Sequence, residues 1–236
     1  MQLAELTVLP RFCGPPGAAN GGYVAGLLGS FATDSVEVRL RLPTPLGVAL
    51  AVHSAAGGTL ELRHGEQLLA TATGATVAFA APRAVPQPVA AAAAANFRGL
   101  RGHAYPRCFV CGPERSDGLR VFAGPMVHDG RACVAAPWQP DAALAGTRRA
   151  VRPEFLWAAL DCPGYFAVQD EVQPMLLGTF TCQVEEQVEV GERCVVMGWK
   201  LGQEGRKHRA ATALYGADGR CVARAAATWV EPRPTA

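Results

Sequence analysis

Asn20-Gly21-Gly22-Tyr23-Val24-Ala25-Gly26-Leu27-Leu28-Gly29 and Arg152-Pro153-Glu154-Phe155-Leu156-Trp157-Ala158-Ala159-Leu160-Asp161 are two apolar stretches of helical character with different starts. The first opens on Asn20, whose side chain suits the N-cap because it can accept from an orphan N–H of the first turn. Two glycines follow it. The second opens at Pro153, which fits the first helical position because its missing N–H has no helical partner there anyway. Their far ends differ in a complementary way. Nine residues after Asn20 stands Gly29, and nine residues after Arg152 stands a carboxylate, Asp161.

Strand signals flank each stretch. Residues 4–9 form a candidate first strand, stopped by Cys13-Gly14-Pro15-Pro16-Gly17. Residues 36–42 alternate apolar and polar at period two, which predicts a strand with one buried face. Residues 48–53, 59–63 and 67–79 predict three more, with a turn at His64-Gly65-Glu66 between the last two. Residues 119–122 and 132–135 are candidate strands ahead of the second helix. Four more are predicted over 175–184, 193–201, 209–215 and 221–230, the last two joined by the turn Gly216-Ala217-Asp218-Gly219. The same order, strand, apolar helix and four-strand meander, therefore occurs twice. The expected fold is α+β. The expected domains are residues 1–81 and 100–236. Residues 82–99, rich in proline and then alanine, form a linker that is helical in its alanine part.

Composition removes several function classes. The 236 residues can bury a sizeable core, and 50% hydrophobic with 18% charged residues is an ordinary globular balance. The net charge is +2, and the nearest approach to a basic cluster is Arg148, Arg149 and Arg152, so nucleic acid is not an expected partner. No window has the apolar length of a membrane span. The start, Met1-Gln2-Leu3-Ala4-Glu5, lacks the basic and apolar regions of a signal peptide, so a cytoplasmic location with eight reduced cysteines is expected. Nucleophile-elbow, phosphate-loop and dinucleotide motifs are absent.

Two local motifs carry a resemblance. Asn20-Gly21-Gly22 leading into an apolar helix resembles the His-Gly-Gly start of the central helix in hotdog-fold thioesterases of the phenylacetyl-CoA thioesterase type. Cys108-Phe109-Val110-Cys111-Gly112-Pro113, followed by Asp117-Gly118-Leu119, is similar to the Cys-Phe-x-Cys-Gly and Asn-Pro-x-Gly-Leu runs of such domains. Here Arg115-Ser116-Asp117 replaces the Asn-Pro-x part, and Asn20 replaces the histidine. The resemblance implies a double hotdog, two antiparallel sheets each wrapping a central helix. It implies hydrolysis of an acyl-CoA or related acyl or aryl thioester with no cofactor. By position, it assigns the carbonyl-polarising role to Asn20, Gly21 and Gly22, and the base or nucleophile to Asp161. The reciprocal site would meet Pro153 and Glu154 where glycines belong and Gly29 where an acid belongs, and is expected to be inactive.

The chemistry is reasonable without the family. Free backbone N–H groups and a helix N-terminus suit the negative charge that develops on a thioester carbonyl. Glycine lets the acyl group approach the backbone closely. Nine helical residues span about two and a half turns, so Asp161 faces away from its own helix start and can serve a site completed elsewhere. Its apolar neighbours favour a raised pKa, as a base requires. Pro163 is expected to bend or end the helix beside it. Tyr23 and Trp157 are candidates to contact the acyl group, Thr179 and Thr181 to hydrogen-bond the attacking water, and Arg148 and Arg149 to meet CoA phosphates. Simpler readings stand beside these. Asn20 can be an N-cap only, and Asp161 a satisfied helix-end polar group. Cys108-x-x-Cys111 reads as a turn with two buried thiols, since zinc would need His103, His128 or Cys133 to complete it. A hotdog that binds thioesters without hydrolysing them is the alternative function. A hotdog dehydratase or hydratase ranks last, because no histidine lies on either helix. One chain supplies the hotdog pair, and exposed sheet edges allow a homodimer of such pairs.

Overall fold

The computed structural model describes residues 1–233. The chain opens with β1 (Gln2–Thr7), α1 (Gly21–Gly29), β2 (Val36–Leu40), β3 (Ala49–Ser54), β4 (Leu60–His64) and β5 (Gln67–Gly74). After α2 (Gln87–Ala94) come β6 (Gly124–His128), β7 (Arg131–Trp138), α3 (Pro153–Ala167), β8 (Leu176–Val184), β9 (Cys194–Glu204), β10 (Lys207–Tyr215) and β11 (Cys221–Val230). Alternation decides the strands of the first half. Val36 and Val38 of β2 are buried while Glu37 and Arg39 are not, and Leu50 and Val52 of β3 repeat the pattern.

All eleven strands join one antiparallel sheet in the order β1-β3-β4-β5-β2-β8-β11-β10-β9-β7-β6. The two expected sheets are thus continuous through the β2–β8 pair, where Val36 faces Cys182 and Val38 faces Phe180. The edges of this sheet are β1 and β6. The helices α1 and α3 pack on each other and on this sheet.

Glycines make that helix contact close. A Cβ at Gly22 would lie 2.4 Å from Asp161 Cβ, and one at Gly26 would lie 2.6 Å from Glu154 Cα. At Gly29 it would meet the Trp157 ring at 3.0 Å. These glycines sit at i, i+4 and i+7, one face of α1, and that face receives α3.

The second half differs from the first by having both sheet faces covered. Val196, Ala210 and Leu214 join the core under α3, whereas Val195, Met197, Trp199, Ala211 and Ala213 join a second cluster with Ala90 and Ala93 of α2. The stretch expected as a linker, 82–99, therefore contributes a helix to the outer face of the sheet. Gly124 lets it approach closely, since a Cβ there would collide with the Ala93 carbonyl.

Three local expectations are corrected. Residues 119–122 do not form a strand; they run beside the 109–110 loop through the Leu119 N–H to Phe109 carbonyl (2.8 Å) and Val121 N–H to Val110 carbonyl (2.9 Å) bonds. β5 stops at Gly74 rather than reaching 79. The helix α3 continues through Pro163 to Ala167. Tertiary packing holds it there: a Cβ at Gly198 would lie 2.7 Å from the Pro163 carbonyl oxygen, and the Thr212 hydroxyl donates to the Leu160 carbonyl at 2.9 Å. That bond adds a partner one residue from the carbonyl that proline leaves unpaired.

Candidate active site where the two helices meet

Asn20 is the N-cap of α1, its side-chain oxygen accepting from the Tyr23 N–H at 2.9 Å. Its amide nitrogen then points across to α3 and donates to Asp161 Oδ2 at 2.9 Å. The Gly22 N–H donates to the same oxygen at 3.0 Å. The carboxylate thus sits at the positive end of α1, a favourable place for an anion. Asp161 Oδ1 is buried and has no hydrogen-bond partner among the described residues.

Burial pushes the Asp161 carboxyl up to about 7. The negative charge of Cys108 adds to that rise, and the Gly22 and Asn20 hydrogen bonds oppose it. Cys108 lies against the same group: Asn20 Nδ2 is 3.8 Å from its sulfur, and Cys162 Sγ is also 3.8 Å away. Hydrogen bonds from the Cys111 and Cys162 thiols hold Cys108 well below the usual thiol range, while burial raises Cys111 and Cys162.

A cavity of about 470 Å³ reaches this point. Asn20, Gly21, Asp161 and the three cysteines form its polar wall, and Val24, Leu40, Met175, Leu177 and Trp229 are among its apolar lining. Of the two glycine amides, only Gly21 N–H has no hydrogen-bond partner among the described residues, because Gly22 N–H is spent on Asp161.

Sequence reasoning therefore names four residues that the fold brings together, Asn20, Gly21, Gly22 and Asp161. The remaining candidates lie off the cavity wall. Tyr23 is buried and stacks on Phe12, with ring centroids 4.2 Å apart. Trp157 packs edge-on to Phe180 and over Gly29. Its ring lies against Gly29, the position where the reciprocal site would need an acid. Thr179 and Thr181 lie in β8, opposite Arg39 and Glu37 of β2. Arg148 and Arg149 are exposed on the loop before α3, both with positive φ. His103, Tyr105, Cys162 and Tyr165 line the cavity without having been singled out for it. The adjacency of Cys162 to Asp161 was the one readable signal among them.

No protein-family model and no curated protein sequence matches this chain. Solved structures do. A tesB protein of Mycobacterium avium subs paratuberculosis aligns over 97% of this chain and 92% of its own, at 12% identity and a TM-score of 0.64. A protein of unknown function with a hot dog fold, from Alicyclobacillus acidocaldarius, aligns over 100% of this chain and 97% of its own, at 10% identity and a TM-score of 0.57. The fold is a double hotdog. A third double-length neighbour, an acyl-CoA thioesterase II TesB2 of Mycobacterium marinum, covers 98% of this chain and 93% of its own at 12% identity and a TM-score of 0.63. Within this double hotdog, among the described residues, no helix is long and apolar enough to cross a membrane.

Proposed function

We propose that the chain hydrolyses an acyl thioester, with acyl-CoA as the substrate class, at the α1–α3 junction. One observation carries this reading: a buried carboxylate, tethered through one oxygen and unpartnered at the other, shares a cavity wall with a free N–H at a helix N-terminus. The apolar lining of the cavity suits an acyl chain. The name of the Mycobacterium marinum neighbour, an acyl-CoA thioesterase II, agrees with this substrate class.

In the proposed reaction the thioester carbonyl oxygen lies at the Gly21 N–H. The positive end of α1 stabilises the charge that develops there. Water attacks the carbonyl carbon and gives its proton to Asp161 Oδ1. The tetrahedral intermediate collapses, the C–S bond breaks, and the leaving sulfur takes that proton. The products are a carboxylic acid and a free thiol. Asn20 and the Gly22 N–H are positioning groups, since both hold Asp161 Oδ2. The reciprocal site contributes nothing in this reading, because Gly29 supplies no acid and abuts the Trp157 ring.

The test is thiol release from a panel of short, medium, long and aryl acyl-CoAs, followed with a thiol-reactive dye. Turnover of at least one chain class supports the reading. Saturable binding across the panel without thiol release would replace it with a thioester-binding role.

A further inference from the structure

The Cys108-x-x-Cys111 turn converges with a third cysteine, Cys162, that no sequence motif joins to it. The sulfurs of Cys108, Cys111 and Cys162 all lie within 4.8 Å of one another, and all three residues are buried. Cys108 and Cys111 come from a tight turn in which the Gly112 N–H donates to the Cys108 carbonyl at 2.9 Å. Only glycine lets that turn close, because a Cβ at 112 would lie 2.6 Å from the Cys108 backbone. Cys162 comes from α3, next to Asp161.

We propose that Cys108, Cys111 and Cys162 are three corners of a tetrahedral zinc site that ties the 108–112 turn to α3. The spacing fits. Zinc–thiolate bonds of about 2.3 Å set tetrahedral sulfur–sulfur edges of about 3.8 Å, and Cys108 Sγ to Cys162 Sγ is 3.8 Å. The dication would offset two of the three negative charges that three deprotonated buried thiols carry.

The fourth corner falls to an oxygen on the cavity side rather than to His103. His103 Nδ1 accepts the Tyr105 N–H at 2.9 Å. That leaves the imidazole proton on Nε2, which is then a donor and not a ligand. Among the described residues, Asp161 does not join the group of ligand atoms within 4.8 Å of one another, so the oxygen on that side is a cavity water and Asp161 Oδ1 stays free. A Cys₃ set with one oxygen position suits zinc among the common divalent ions.

The site stands independently of the thioesterase reading, because metal content is measured without activity. Protein produced with zinc supplied and purified under reducing conditions is assayed for metal by plasma mass spectrometry. Chelator-treated wild-type protein is then titrated with Co²⁺. The expected result is about one zinc per chain, with thiolate-to-cobalt charge-transfer absorption and the d–d bands of tetrahedral cobalt. Cys162→Ser should lose both signals, and Cys133→Ser, whose thiol lies in the second cluster under α2, should keep them. Less than about a tenth of an equivalent of zinc together with no charge-transfer band in the wild-type titration would overturn the site, as would a Cys108–Cys162 disulfide in place of metal. The wild-type titration decides the matter even if Cys162→Ser does not fold.

Discussion

The Gly22 amide at the head of α1 donates to the Asp161 carboxylate of α3, 139 residues further along the chain, at 3.0 Å. This bond makes one unit of two helices that sequence places in different halves of the molecule. It also divides the glycines by task. Gly22 holds the carboxylate, and Gly21 keeps its N–H for the carbonyl oxygen.

Gly22→Ala tests the closeness of the helices. The new Cβ would lie 2.4 Å from Asp161 Cβ, and both atoms belong to packed helices. Overpacking of this kind costs about 1–3 kcal/mol. Thermal unfolding should move down accordingly, and thioester turnover should fall with it as Asp161 is displaced. An unchanged Tm would mean that the helices sit further apart.

Asn20→Ala removes three contacts from one side chain, the cap on Tyr23 N–H, the bond to Asp161 Oδ2 and the longer contact to the Cys108 sulfur. Loss of an N-cap costs about 0.5–2 kcal/mol. The expected effect on turnover is larger than the stability loss accounts for, because Asp161 loses its orienting partner. Denaturant unfolding and kcat measured on the same samples separate the two.

Trp157→Ala separates packing from substrate contact. Trp157 is buried over Gly29 and against Phe180, away from the cavity. Truncation should cost about 3–5 kcal/mol while leaving the order of preference among acyl chain lengths unchanged in the folded protein. A reordered preference would place the indole on the substrate.

Val24→Phe tests the cavity as the acyl pocket. Val24 lies one turn into α1 beyond Gly21 and lines the apolar wall. A larger side chain there should lower kcat/KM for long acyl chains about tenfold or more relative to short ones. Equal effects across chain lengths would put the acyl group elsewhere.

Local chemistry made much of the fold legible. Period-two alternation placed β2, glycine-containing turns separated β4 from β5 and β10 from β11, and Asn20 marked the start of α1 at the residue that caps it. What escaped reading depends on neighbours distant in sequence. Pro163 breaks helices in isolation, yet Gly198 and Thr212 accommodate it here. Residues 119–122 look like a strand because they are apolar, but they are buried against a loop. At the site, Asn20, Gly21 and Gly22 were readable as a helix start because capping and glycine chemistry are local, whereas Asp161 was assigned by the resemblance, from its position nine residues after Arg152. The convergence of Cys162 on Cys108 was not, because nothing in either segment specifies which helix lies over the 108–112 turn. Tyr23 and Trp157 illustrate the same gap. A large aromatic in an apolar helix can face a pocket or the core, and only packing decides between them.

The composite site is tested most directly by Asp161→Asn. The amide is nearly isosteric and can still lie against α1, but it cannot take a proton from water. Thiol release from the best acyl-CoA of the panel should fall by about 100-fold or more, with the far-UV spectrum and the double hotdog retained. Undiminished turnover in a folded Asp161→Asn protein would contradict it.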